Sequence, residues 1–470
     1  MKFKRALCIL IAFLLAFSTS FVSVLADEQE NPDISAQQGS HSLDATQCLL
    51  GNNRLVNNTK AAILYETKTQ TLLYSYNADE RMYPSSFVKL MTLLIALEEG
   101  DLDELVTVKQ ETLNSVPNDA MSVYLYAGEK LTLNDLLYCM MVGSGNDAAA
   151  VIAETISESQ TAFVQKMNDY ALALGCTDTN FMNVHGLHHD NQYTTARDSA
   201  KIFAAGLENE KFREIICTQT YVIPESENSH GRSLLTNNYL INTYVMEIYK
   251  DSRVLGGRTG VNNNRERCVA TISKSGNMEV LCIVMGARST YEPDGYTVRI
   301  EGGFPETSEL LDKGFQGLRG VQLYNKDQVM RQYAVMGGNC NLFLGTDSDG
   351  FTVLPSGVGI NDLSFVYYDS FAGAYPSIPI EKGQVLSRLE VWYQNICVES
   401  AALYAMNSVT ADSPELIEST QPDPPMQWWA WALIYLGIAL LVAILFLLAI
   451  RYIPGFRKLL FSRKKQKFRW

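Results

Sequence analysis

Cysteine is scarce in this chain, and its placement asks for no metal. Nine cysteines occur in 470 residues, none at a spacing that closes a zinc site. A chain of this length also needs no disulfide framework to hold a core. Cys340 with Cys397 is the pair to test for a bridge, since both fall in one β-rich region; buried free thiols are the alternative reading for all of them. Histidine is scarcer still, at five residues. The one cluster, His188-His189-Asp190, sets neighbours side by side, where they cannot easily enter one coordination sphere. Neither metal nor cofactor is expected.

Positive charge is outnumbered in the body of the chain. The net charge is -13, yet three cations stand in the first five residues and eight follow Ile450 with no acid among them, which leaves -24 on Asp27 to Ile450. So acidic a body is a poor candidate for binding nucleic acid. Charge of either sign is absent from Trp428 to Ile450, a run long enough to span a bilayer, with Trp428, Trp429 and Trp431 at its outer edge. Cations after such a run mark the cytoplasmic side. Residues 1–26 have a basic start, an apolar run and a small-residue cleavage site, as a secretory signal does. The protein is therefore expected in the cell membrane as a single-pass chain, with its bulk outside and its C-terminal tail in the cytoplasm.

What is there divides as follows. Residues 27–58 are a polar lead-in, and 59–318 mix strands and helices in an α+β pattern. Residues 319–406 carry short β segments punctuated by turns, 407–426 form a linker rich in proline, acid and small polar residues, 427–450 the membrane helix, and 451–470 a basic tail. Ala61–Tyr65 and Thr71–Tyr76 read as a hairpin. Helices are expected from Tyr83 to Gly100, Thr132 to Met141, Asp147 to Ser157, Thr161 to Leu174, Ala196 to Leu207 and Pro305 to Phe315. Strands are expected over 252–258, 267–273 and 278–286, and Asp101 to Gly128 reads as loop and short elements.

Three motifs carry chemistry. In the first helix Ser86 and Lys89 stand three residues apart, so a hydroxyl and an amine share one face of a helix that is apolar all round after Lys89. Desolvation lowers a lysine's pKa, and the neutral amine can take a proton from the serine. Ser144-Gly145-Asn146 lies between two helices and can carry exposed side chains into a cleft. Arg258-Thr259-Gly260-Val261 ends a strand, where small residues beside a cation and a hydroxyl let a carboxylate approach. Plain alternatives exist for each alone: a cap and a snorkelling lysine, a helix-breaking turn, a β-turn. Their order in one exported chain is the stronger signal.

That ordered set resembles the serine D-alanyl-D-alanine carboxypeptidases, the low-molecular-mass penicillin-binding proteins that share a fold with β-lactamases. The likeness runs from about Lys60 to Asn407 and includes Asn77-Ala78-Asp79-Glu80, Ala127-Gly128-Glu129, His185-Gly186-Leu187 and Tyr193-Thr194-Thr195-Ala196. It extends to Glu381-Lys382-Gly383-Gln384 and Leu389-Glu390-Val391. The resemblance implies a β-lactamase/transpeptidase-like domain of antiparallel sheet, flanking helices and a helical cluster, followed by a small all-β domain. It implies that Ser86 attacks the carbonyl between the two D-alanines of a peptidoglycan stem pentapeptide, with Lys89 as base. Ser144 would relay a proton to the leaving D-alanine, and Asn146 would hold the substrate amide. Arg258 and Thr259 would bind the terminal carboxylate, and the amides of Ser86 and Val261, beyond Gly260, would form the oxyanion hole. β-Lactam antibiotics would be covalent inhibitors.

Three positions depart from the family pattern: Arg258 for the usual lysine, Val88 for a common threonine, and Gln192 for a frequent histidine. Arginine grips carboxylates well but cannot give up its proton near neutral pH. A catalytically weak or inactive penicillin-binding scaffold is therefore the rival reading. A β-lactamase fits less well, because no Glu-x-x-x-Asn follows Ser144.

Overall fold

The computed structural model describes residues 43–411, apart from 243, 295–296 and 372–374. The signal sequence, the first half of the lead-in, most of the linker, the Trp428–Ile450 run and the basic tail lie outside the described residues. Among the described residues no helix is long and apolar enough to cross a membrane.

Five strands make the central sheet: β1 (Ala61–Glu66), β2 (Thr71–Tyr76), β3 (Val254–Val261), β4 (Glu266–Ser275) and β5 (Met278–Arg288). Their order is β2-β1-β5-β4-β3, antiparallel throughout. The expected hairpins β1–β2 and β4–β5 are both present; β2 has the expected bounds, and β1, β4 and β5 run one to three residues longer than the pattern indicates. Alternation along β1 explains why the strand reads as almost wholly apolar. Ala61, Ile63 and Tyr65 face one core, while Ala62 and Leu64 face another. β5 does the same, with Leu281, Ile283 and Met285 on the first face and Val280, Cys282 and Val284 on the second. A sheet covered on both faces loses the polar half of the usual alternation.

The first face is covered by the helical cluster, whose centre is α1 (Val88–Glu99), preceded by a 3-10 turn over Ser85–Phe87. Every residue of α1 from Val88 to Ala96 is buried. Each leucine or isoleucine so buried contributes about 1.5–3 kcal/mol, which fixes this segment firmly in the core. Gly100 follows it in an extended conformation and packs so close that an added Cβ would come 2.4 Å from Leu133 Cδ2. α2 (Leu133–Met141) and α3 (Asn146–Ile156) pack against it as an antiparallel pair, with Gln160–Ala173 and Ala196–Leu207 beyond. The second face is covered by Phe304–Gly317, through Phe304, Leu310 and Leu311.

Four elements escaped the sequence reading. The Glu210–Cys217 helix is capped by Asn209, which accepts from the amides of Lys211 and Phe212; it is short and follows another helix closely enough to read as its tail. The hairpin Thr220–Ile223 with Arg232–Leu235 and the ribbon Thr290–Tyr291 with Val298–Ile300 are short and largely exposed, so neither alternates strongly. The fourth, a ribbon of Leu105–Thr107 with Lys130–Thr132, lies within and beside the stretch read as irregular.

The chain forms two compact units. The first contains the described residues up to 331 together with 343–371 and 383–406. Besides the central sheet it contains antiparallel strands Ser364–Asp369, Val385–Tyr393 and Ile396–Ala405, so the β-rich texture after residue 318 is real. The described part of the second unit covers 332–342, 375–382 and 407–411, where Ile380 bridges Val409. None of the eight described cysteines is in a disulfide. The Cys340–Cys397 bridge is not formed, and the buried-thiol reading fits Cys139, Cys268 and Cys282 among others. Burial pushes the Cys139 and Cys268 thiols up to about 12.

Candidate active site

Ser86 lies in the 3-10 turn, half-buried, one residue after a strained neighbour. Ser85 has φ 49°, a left-handed conformation that costs an L residue about 1–3 kcal/mol and persists only where its surroundings enforce it. Two contacts do so. Ser85 Oγ donates to the carbonyl of Val261 at 2.9 Å, which ties the turn to the end of β3. Gly186, at φ 90°, comes so close that an added Cβ would sit 2.0 Å from Ser85 O. Gly260 approaches from the strand side, where a Cβ would lie 2.7 Å from Ser86 N and 2.9 Å from Ser86 Cβ. The glycine in the third motif is thus a spacing requirement: it brings the strand backbone against the nucleophile's turn.

Lys89 is 1% exposed. Its Nζ donates to Asn146 Oδ1 at 2.5 Å and to the carbonyl of His185 at 2.7 Å. Burial, then the charge of Arg258, hold it well below the usual lysine range, and Asp147 opposes them. A neutral amine has two protons and one lone pair. Both protons are engaged here, so the lone pair is the free valence. His185 is itself depressed to about 3 by burial and by Lys89, so its ring is neutral and its backbone carbonyl does the work.

Ser144 and Asn146 enter from the α2–α3 junction. Ser144 has φ 61°, and Asn146 opens α3, where its amide donates to Met121 O at 2.8 Å. Arg258 reaches across from β3. Its Nη2 donates to Ser144 Oγ at 2.5 Å and its Nη1 to Met141 O at 2.8 Å, while Nε has no partner. It is 1% exposed, and burial lowers it to about 10, still protonated at neutral pH. Thr259, equally buried, donates to Asn237 Oδ1 at 3.2 Å.

Ser86, Lys89, Ser144, Asn146, Arg258, Thr259, Gly260 and Val261 therefore converge from three chain segments onto one site. Arg258 also has a structural duty: one N–H of each terminal nitrogen holds a protein acceptor, Met141 O or Ser144 Oγ, and the second N–H of each is left over to meet an anion. Sequence reasoning missed Ser85, the His185 carbonyl, Gly186 as a contact, Asn237 and Asp147. Backbone groups leave no signature in side-chain motifs. Asp147, directly after the second motif, was visible but had no assigned role.

The model of a family described as D-alanyl-D-alanine carboxypeptidase, the S11 peptidases, matches residues 52–289. The D-alanyl-D-alanine carboxypeptidase DacF of Bacillus subtilis is 30% identical over 343 residues, covering 72% of this chain and 82% of its own length. DacC of Escherichia coli, of the same description, is 27% identical over 361 residues, covering 74% and 84%. Among solved structures, penicillin binding protein 5 from Haemophilus influenzae superposes with a TM-score of 0.62 at 25% identity, covering 76% of this chain and 99% of its own. The shared fold is the α+β transpeptidase and β-lactamase-like one anticipated from the sequence.

Proposed function

The chain belongs to the D-alanyl-D-alanine carboxypeptidase family, and from that premise we propose that Ser86 is its nucleophile and Lys89 its general base. The protein is a serine peptidase that removes the terminal D-alanine from peptidoglycan stem peptides. The observation that carries the assignment of roles is the lysine's own bonding: both donors are occupied, its charge is disfavoured by burial and by Arg258, and it stands one turn after Ser86.

The reaction follows from these groups. Lys89 takes the proton of Ser86 Oγ as the oxygen attacks the carbonyl between the two D-alanines. The amides of Ser86 and Val261 receive the developing oxyanion, where a positioned donor is worth about 3 kcal/mol. Ser144 accepts from Arg258, so its own proton is free to pass to the amine of the departing D-alanine, and Lys89 replaces it. Water then attacks the acyl-enzyme with Lys89 again as base. Asn146 holds the substrate amide, Thr259 the terminal carboxylate, and the Arg258 charge supports both anions from behind. A β-lactam would acylate the same serine. The uncharged Trp428–Ile450 run would anchor the protein, with the catalytic unit on the wall side.

A fluorescent penicillin should label the wild type covalently and fail to label Ser86→Ala. D-Alanine should be released from a stem pentapeptide by the wild type alone. Labelling without release would replace this reading with that of an acylated, non-hydrolysing scaffold, and labelling of Ser86→Ala would remove Ser86 as nucleophile.

A further inference from the structure

Asp147 holds the site together and has no part in the chemistry above. It is buried on the first turn of α3, and its carboxylate accepts four hydrogen bonds. Ser122 Oγ and Leu125 N donate to Oδ2 at 2.6 and 3.1 Å. Val123 N and Ala148 N donate to Oδ1 at 3.2 and 3.0 Å. Three of the four donors belong to one loop, Ser122–Leu125, which a buried carboxylate gathers as a set of converging dipoles.

That loop wraps the second motif from outside. Met121, just before it, accepts from Asn146 N at 2.8 Å. Val123 fills the space beside both glycines that flank Ser144: a Cβ at Gly143 would come 2.5 Å from Val123 Cγ1, and one at Gly145 would come 3.0 Å from Val123 Cγ2. Ser144 itself has φ 61°, and so, within the loop, has Tyr124 at 60°, its amide held by Ser122 Oγ at 2.8 Å. Left-handed serine and tyrosine persist only when surroundings over-determine them. For Tyr124 the link runs through Ser122, whose Oγ accepts from the Tyr124 amide and donates to Asp147, while the residues on either side of Tyr124 donate to Asp147 from their amides.

The donors are also all neutral, so they satisfy the carboxylate without cancelling its charge. Three charged or titratable groups act on Lys89: Arg258 from β3, His185 from its loop and Asp147 from α3. Arg258 disfavours the ammonium form, His185 is neutral, and Asp147 favours it.

We propose that Asp147 is a positioning residue of the carboxypeptidase reaction: its carboxylate clamps the Ser122–Leu125 loop against Ser144 and Asn146, and its negative charge acts on Lys89 in the opposite sense to that of Arg258. The proposal rests on Lys89 as the base. Loss of the negative charge makes Lys89 easier to deprotonate, so Asp147→Asn should move the acid limb of the kcat/KM profile to lower pH. Disruption of the clamp should lower the plateau by about tenfold or more. Ser122→Ala loosens the clamp without altering charge, so it should lower the plateau and leave the limb in place.

The test is D-alanine release and penicillin acylation by the full-length protein across pH, with folding followed by thermal unfolding. A folded Asp147→Asn whose limb stays where the wild type's is, or whose plateau lies within twofold of the wild type's, overturns the proposal. Should Asp147→Asn not fold, Ser122→Ala decides: a lowered plateau with a fixed limb supports the clamp, and an unchanged plateau overturns it. Failure of the wild type to release D-alanine would instead count against the function itself.

Discussion

Arg258 Nη2 donates to Ser144 Oγ at 2.5 Å, while Nη1 of the same guanidinium donates to Met141 O at 2.8 Å. One side chain from the sheet thus closes the end of α2 and fixes the serine that follows it. The fork geometry makes this possible, since two acceptors separated in space are met by two nitrogens of one rigid plane. Neither acceptor is charged, so the cation is left to act on whatever anion enters the site.

Arg258→Lys should therefore separate charge from geometry. An ammonium is a point donor on a flexible stem and cannot reproduce both bonds in the same fixed geometry. Its charge remains, so penicillin acylation should stay within about tenfold of the wild type. Arg258→Gln removes the charge and should lose about 10²–10³-fold in kcat/KM, the scale of losing one preorganised electrostatic donor. Steady-state D-alanine release by the two variants measures the difference; equal losses would mean that charge contributes nothing.

Lys89 links activity to stability. Its folded pKa is depressed while the unfolded value is that of an ordinary lysine. Between the two, the unfolded chain binds more protons, so stability rises with pH across that window and levels off above the unfolded pKa. Lys89→Met removes a buried amine that must stay neutral, so denaturant unfolding at pH 6 and pH 9 should show a smaller difference for the variant than for the wild type. The same variant should release no D-alanine. A wild type whose stability is equal at both pH values would argue against the depressed lysine.

Much of this site could be read without coordinates, and the reason is specific. Ser86 and Lys89 are joined by helical spacing, so their shared face is a property of local sequence, and an all-apolar surround already implied a desolvated amine. The β1–β2 and β4–β5 hairpins were equally local. By contrast, Lys89 is held by a carbonyl 96 residues away and Ser85 by one 176 residues away. No spacing rule connects such positions, and a carbonyl is carried by every residue alike. The structural bonds of Arg258 escape sequence reading for a related reason. Its type implies a carboxylate partner, and its bonds to Met141 and Ser144 depend on where α2 ends.

The Glu129–Arg232 pair should prove a stability determinant remote from the chemistry. Glu129 is fully buried and accepts from Arg232 Nη1 and Nη2 at 2.7 and 3.1 Å and from Ser229 Oγ at 2.6 Å. Removing Glu129 leaves Arg232 uncompensated, but Arg232 is only half-buried and can turn to water, so the loss should fall below the ~3–5 kcal/mol of a fully buried pair. Glu129→Ala should lower the urea midpoint accordingly, and Glu129→Leu with Arg232→Met should recover part of the loss. Penicillin labelling at a temperature where each variant is folded should be unchanged, since neither residue touches the site's side chains.

Gly186 offers the sharpest test of how the nucleophile's turn is held. At φ 90° an alanine is strained whatever the space, and its Cβ would fall 2.0 Å from Ser85 O. The methyl cannot be accommodated by a rotamer change, because the obstacle is backbone. Either the His185–Leu187 segment or the Ser85–Phe87 turn must shift. The first withdraws the His185 carbonyl from Lys89, and the second moves Ser86 away from Gly260 and Val261. Both routes damage acylation, and by about 10²-fold for a displacement near 1 Å. The strain itself should destabilise the fold by more than about 1 kcal/mol. Gly186→Ala should thus show a lowered melting temperature together with slow labelling by penicillin. Gly383→Ala serves as the control, since it has the same φ of 90° with nothing within 4 Å of the added carbon. It should show the strain alone, with labelling at the wild-type rate.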